Sequence, residues 1–111
     1  MNRITVADFE RVEMRVGRIV QVEDFPKARK PSYRLLIDFG PYGTRRSAAA
    51  IRPFYTREEL LGRQVVAVTN FPPRRIADFE SEVLVLGAVD HGGRIVLLRP
   101  DAEVELGAWI A

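Results

Sequence analysis

An all-β barrel carrying short helices is the fold class that this 111-residue sequence predicts, and three observations predict it. Apolar residues recur in short runs of period two, glycine and proline turn chemistry separates the runs, and helix signals are confined to two brief stretches. With 47% apolar residues the chain can bury one core, so a single domain over residues 1–111 is expected.

The elements follow in order. Thr5 is a helix N-cap with Asp8 in the first turn, and Val6, Phe9 and Val12 fall at helical spacing, which predicts a short helix ending near Glu10. From Val12 the period changes: Val12, Met14 and Val16 alternate with Glu13 and Arg15, the pattern of a strand. The alternation slips after Gly17, where Arg18 takes an apolar position and Ile19 and Val20 run together, so a bulge or bend is expected there. Two prolines and three cations make residues 24–32 an exposed loop. Tyr33, Leu35, Ile37 and Phe39 then alternate with Arg34, Leu36 and Asp38, and Gly40-Pro41-Tyr42-Gly43 turns the chain into a third strand over residues 44–51. Phe54 and Tyr55 read as packing residues. Thr56 and Glu59 form a capping box ahead of Leu60 and Leu61, and Gly62 can end that helix. Residues 63–70 read as a strand, 71–81 as a long loop and 82–89 as a strand. Asp90-His91-Gly92-Gly93 then turns the chain into a last strand over residues 94–98.

Three strands, a short helix and further strands is the order of an OB-fold, whose ligand face comprises strands 2 and 3 and the loops joining strands 1 to 2 and 4 to 5. Here those are residues 33–51, 25–32 and 71–81. The formal net charge is only +2, yet residues 25–57 hold eight cations against one acid, and residues 78–111 hold two cations against seven acids. The cations fall on the predicted face: Lys27, Arg29 and Lys30 in one loop, Arg34, Arg45 and Arg46 on the strands, Arg74 and Arg75 in the other loop. With Ser47 and Phe71 these are the expected ligand-binding residues. Tyr33 and Phe39 share the parity of Leu35 and Ile37 and so point to the core, which leaves bases little to stack on. The alanines of strand 3 offer a shallow floor inside a cationic rim, a surface suited to the apolar side chains of an extended peptide. Phe71-Pro72-Pro73 is either a rigid apolar contact or a turn that positions Arg74 and Arg75, and both roles are compatible.

Catalysis finds no foothold. The sole histidine, His91, lies in a glycine-rich turn, and Ser47 and Ser81 have no histidine near them in sequence. Asp101, Glu103 and Glu105 are expected to be solvated rather than metal-bound. With no cysteine and no phosphate-binding glycine motif, no catalytic residue, metal or cofactor is expected. The N-terminus lacks the apolar core of a signal peptide and no apolar run approaches the roughly 18 residues of a membrane helix, so a cytoplasmic protein without membrane insertion is expected.

Several blocks are more specific: Met14-Arg15-Val16-Gly17-Arg18-Ile19-Val20, Ala28-Arg29-Lys30-Pro31-Ser32-Tyr33, Ile37-Asp38-Phe39-Gly40, Asn70-Phe71-Pro72-Pro73-Arg74-Arg75-Ile76 and Ser81-Glu82-Val83-Leu84-Val85-Leu86-Gly87. They resemble the CsaA family, secretion-linked chaperones within the wider tRNA-binding-domain group that includes the C-terminal extension of some methionyl-tRNA synthetases. The resemblance implies an OB-fold, a homodimer and binding of unfolded, export-bound polypeptides, with tRNA as a further partner. The implied dimer, together with chain past Val89 that exceeds a five-strand barrel, selects Leu97, Leu106, Trp109 and Ile110 as interface candidates. One departure stands out: the family has a serine and a glutamine where this chain has Ala48 and Ala50, which puts roles of those polar groups in doubt. A peptide-holding chaperone is the leading expectation, an RNA-binding module the second and a ligand-free dimerisation unit the third.

Overall fold

The computed structural model describes residues 1–111. Its elements are α1 (Val6–Glu10), β1 (Met14–Asp24), β2 (Tyr33–Asp38), β3 (Thr44–Ala49), α2 (Arg57–Leu60), β4 (Gln64–Val68), β5 (Arg74–Ile76), β6 (Phe79–Ser81), β7 (Leu84–Val85), β8 (Gly87–Val89) and β9 (Ile95–Leu97). Strand β1 is long enough to serve two neighbours, pairing with β4 through Met14 to Arg18 and with β2 through Arg18 to Asp24. The main sheet is thereby ordered β3-β2-β1-β4-β7. Its remaining edge on β3 is sealed by residues 81–83: Glu82 N–H donates to the Arg46 carbonyl at 2.8 Å, Ala48 N–H to Ser81 Oγ at 3.0 Å and Ser47 Oγ to the Val83 carbonyl at 2.9 Å. A sheet rolled in this way, with two short helices, is the OB-fold barrel that the element order predicts.

Alternation along β2 sends Tyr33, Leu35 and Ile37 inward, where they join Ile19, Phe39, Leu60 and Val65 in the core. The irregularity expected at Gly17 falls three residues later. Ile19 pairs with Ile37 and Gln21 with Leu36, so Val20 is the bulged residue, 43% exposed. Gly17 answers a different need, because a Cβ there would lie 2.5 Å from Ile37 Cγ2 and 2.7 Å from the Phe39 ring. Both helices carry the capping boxes read from Thr5 and Asp8 and from Thr56 and Glu59. Helix α2 buries Leu60, whereas no residue of α1 is buried.

Two segments differ from expectation. The long loop over residues 71–81 holds the β5–β6 hairpin, whose three-residue strands are too short to display a period and carry charge at Arg74, Arg75 and Glu80. The strand over 82–89 is split at Leu86: β7 closes the barrel against β4, and β8 leaves to pair with β9. That ribbon folds onto the barrel, so Leu97, expected at a dimer interface, is 7% exposed and belongs to the core, with its N–H donating to the Tyr55 hydroxyl. Of the apolar residues past Val89, Leu97 joins that core, whereas Val96, Leu98, Val104 and Trp109 stay exposed. No helix is long and apolar enough to cross a membrane.

The β5–β6 hairpin turns through Ala77 and Asp78, and Ala77 has φ +53° with no positive φ at Asp78. Positive φ at the first central residue alone marks a type II′ turn, which ordinarily takes glycine. Ala77→Gly is therefore expected to raise folding stability by about 1 kcal/mol by relieving a left-handed alanine. Thermal denaturation checks this, and a lower Tm would contradict it.

Candidate functional site

The β1–β2 loop, the outward face of β3 and the β5 arm converge on a groove of about 680 Å³. Lys27, Arg29, Lys30, Arg74 and Arg75 form its rim, and Ala28, Ala48, Ala50, Ile76 and Ala77 supply its apolar surface. Neither a carboxylate nor an aromatic ring lines it. Two prolines keep the first loop out of any sheet, and Ala48 on β3 and Ala50, one residue past its end, both line the groove while Ala49 between them does not.

The cations are not equivalent. Asp78 accepts from Lys27 Nζ at 3.0 Å and from Arg34 at 3.3 Å, Glu80 pairs with Arg75 at 3.5 Å and Glu82 with Arg46 at 3.4 Å. Arg29, Lys30 and Arg74 form no ion pair. The acids that sequence placed in a separate block thus return in space to neutralise part of the basic face. The hydrogen bond and charge of Lys27 hold the Asp78 carboxyl below its ordinary pKa, with Arg34 adding to the effect. A depressed carboxylate pKa means that the tie is present above the ordinary value and is lost as pH falls through the lowered one.

Behind the rim, Phe79 packs edge-on against Phe25 at 5.5 Å, and the Arg34 guanidinium lies 4.6 Å from the Phe25 ring centre and 5.3 Å from that of Phe79. Arg46 approaches Phe79 at 5.5 Å. The hairpin is therefore docked on the outward face of β2 and β3 by cation–π contacts and by Asp78.

Five of the ten expected ligand residues line the groove: Lys27, Arg29, Lys30, Arg74 and Arg75. Arg34 and Arg46 stand behind it, tied down as described. Three lie elsewhere. Ser47 is 1% exposed and spends its hydroxyl on Val83. Arg45 has the parity of Ser47, opposite to Arg46 and Ala48, and its charge bears on Glu13 instead. Phe71 is 50% exposed but does not line the groove. Strand alternation separates neighbours such as Arg45 and Arg46, which a count of charges along the chain merges. Sequence reasoning missed Asp78, Phe79 and Asn70. Asn70 accepts from Glu13 N–H at 2.9 Å and donates to the Arg11 carbonyl at 2.8 Å, pinning the segment after α1 to the end of β4.

Fold and groove together define a class: an OB-fold barrel with a cationic groove on its ligand face. The family described as "Putative tRNA binding domain" matches residues 14–109. The CsaA chaperone of Bacillus anthracis superposes with a TM-score of 0.94 at 45% identity, covering 99% of this chain and 100% of that one. The CsaA chaperone of Picrophilus torridus gives 0.92 at 47% identity, covering 98% and 100%. The chain belongs to this tRNA-binding-domain family and, within it, to the CsaA group. Methionine–tRNA ligase of Pyrococcus furiosus is 39% identical over 110 residues, which are 99% of this chain and 15% of the ligase. The similarity therefore concerns one small part of a larger enzyme.

Proposed function

We propose that this chain is a non-enzymatic, CsaA-like chaperone of the cytoplasm that works as a homodimer and holds extended, export-bound polypeptides in the groove. The observation that carries this reading is the lining: methyl groups of Ala48, Ala50 and Ala77 with Ile76 inside a cationic rim, and no ring on which a base can stack. The second reading, tRNA binding through phosphates, is favoured by the family match and by the three rim cations that lack an acidic partner. A dimer is supported by α1: a five-residue helix with no buried residue, exposing Val6 at 76% and Phe9 at 39%, is too short to persist without a surface to pack on. It leads into the start of β1, where Trp109, 71% exposed, bridges Arg15. Leu106 and Ile110 are half-buried beside it.

Binding measured for an unfolded, weakly charged polypeptide and for tRNA, in 50 and 200 mM salt, separates the two ligands. Three phosphate contacts on duplex RNA predict a salt slope near −2.7 and hence a loss of about 40-fold in tRNA affinity over that range, while polypeptide affinity should change less than about threefold. No detectable polypeptide binding, or a parent protein that sediments as a monomer, overturns the corresponding part of the proposal.

A further inference from the structure

One wall of the groove is backbone edge. Arg74, Arg75, Ile76 and Ala77 line it consecutively, whereas a strand that turns one face to a cavity contributes alternate residues, as Ala48 and Ala50 do at the end of β3. Consecutive lining means that the groove runs along the side of β5. That side is unpaired, because β5 shares a two-stranded sheet with β6 alone.

Register shows which groups point outward. Glu82 N–H donates to the Arg46 carbonyl, so on this arm residues 80 and 82 turn their backbone groups towards β3, and Phe79 and Ser81 turn theirs towards β5. The partners of Phe79 and Ser81 are Ile76 and Arg74. Arg75, opposite Glu80, is then at a non-hydrogen-bonded position, and its N–H and C=O project from the free edge. An unpaired edge of this kind is a template for another extended chain. Pro72 and Pro73, just upstream, cannot donate and so limit the template to a few residues.

We infer that the groove takes its polypeptide by strand addition: an extended segment bearing acidic side chains lies along β5 and exchanges main-chain hydrogen bonds with Arg75. Its small side chains cover Ala48 and Ala50, and its carboxylates meet Arg29, Lys30 and Arg74, the rim cations with no acid of their own. Charge complementarity fixes the occupant, since five cations and no carboxylate line the groove. This inference rests on the polypeptide-holding reading and explains how unrelated sequences can share one site, because the backbone is what they have in common.

The test uses the full-length protein and a labelled decapeptide alternating alanine and glutamate. Arg75→Ala and Arg75→Pro lose the same charge, but only proline also removes the edge N–H, and at a position that donates nothing to the hairpin it is tolerated. Arg75→Pro is expected to bind the peptide about tenfold more weakly than Arg75→Ala, the worth of one main-chain hydrogen bond, while both variants bind tRNA equally. Peptide chemistry gives a second readout on the unaltered protein. A strand presents every other N–H to a given neighbour, so N-methylation of the alanines and N-methylation of the glutamates must differ, one lowering affinity about tenfold and the other leaving it unchanged. Equal affinities for both methylated peptides and their parent overturn strand addition and leave the groove reading standing. Absence of binding by the unmethylated peptide overturns the inference, while the groove reading stands or falls separately with the unfolded, weakly charged polypeptide. If Arg75→Pro does not melt cooperatively, the methylated pair alone decides.

Discussion

Gly17→Val is expected to lower folding stability by about 3 kcal/mol, read as a fall in Tm of roughly 12 °C. A Cβ at residue 17 meets Ile37 Cγ2 at 2.5 Å and two atoms of the Phe39 ring at 2.7 and 2.9 Å. Both neighbours are 0% exposed, in the centre of the core. The strand cannot retreat. Gly17 is paired with Val65 on β4, and on either side of Val16 the C-terminal segment is tied in, with Gly107 N–H donating to the Val16 carbonyl at 2.8 Å and Val16 N–H to the Ala108 carbonyl at 2.9 Å. Relief must come from the Ile37 and Phe39 side chains leaving their rotamers, the general cost of overpacking. An opposing gain of about 0.5–1 kcal/mol from removing a glycine within a strand is too small to reverse the sign. Val20→Ala, at the exposed bulge, should move the melt by little. Gly17→Val combined with Ile37→Ala should cost less than the sum of the two, because the second change empties the space that the first invades. A Gly17→Val protein melting within about 2 °C of the parent would show that β1 and β2 do not pack as described.

How much of this was legible beforehand depended on the length over which each signal acts. The alternation from Tyr33 to Phe39 spans several periods, and it placed Leu35, Ile37 and Phe39 in the core correctly. The capping boxes are local bonds between residues three apart, and both formed. Legibility failed where a fact was shorter than a period or longer than a loop. Three-residue strands such as β5 and β6 show no alternation, so the hairpin that carries Arg74 and Arg75 read as a loop. Asp78 neutralises Lys27 and Arg34 from 51 and 44 residues away, which no inspection of neighbouring residues reveals. Ser47 illustrates a third cause: beside Arg45 and Arg46 it looked like part of a polar ligand face, whereas its parity assigns it to barrel closure. The groove itself was visible in outline, because loop, strand and arm positions follow from OB topology once the element order is known. Which cations inside it remain available was not, because that depends on carboxylates brought in by the fold.

That distinction yields the other large effect. Replacing Arg29, Lys30 and Arg74 together by alanine is expected to weaken tRNA binding about 100-fold at low salt and to flatten the salt slope by about 2 to 3. These three residues line the groove and make no ion pair, so their charges are free to displace counterions from phosphates. Arg94 and Arg99, outside the groove, provide the control. Arg94 is already paired with Asp90 at 3.1 Å, and alanine at both positions should leave tRNA affinity within about threefold. Polypeptides respond according to their charge. An unfolded segment without acidic residues loses only contacts to the side-chain stems and should bind the triple variant within about threefold of the parent, since its apolar contacts with Ala48, Ala50 and Ile76 are retained. An acidic segment should lose affinity together with tRNA, and its loss should shrink as salt rises. The three ligands thereby report on separate parts of one surface: the rim alone for tRNA, the floor and edge for neutral polypeptide, and all of them for acidic polypeptide. If the triple variant keeps the parent's tRNA affinity and salt slope, RNA binds elsewhere on the barrel and the groove serves polypeptide alone. If neutral polypeptide is lost as completely as tRNA, the alanine floor contributes nothing and the cations are the whole site.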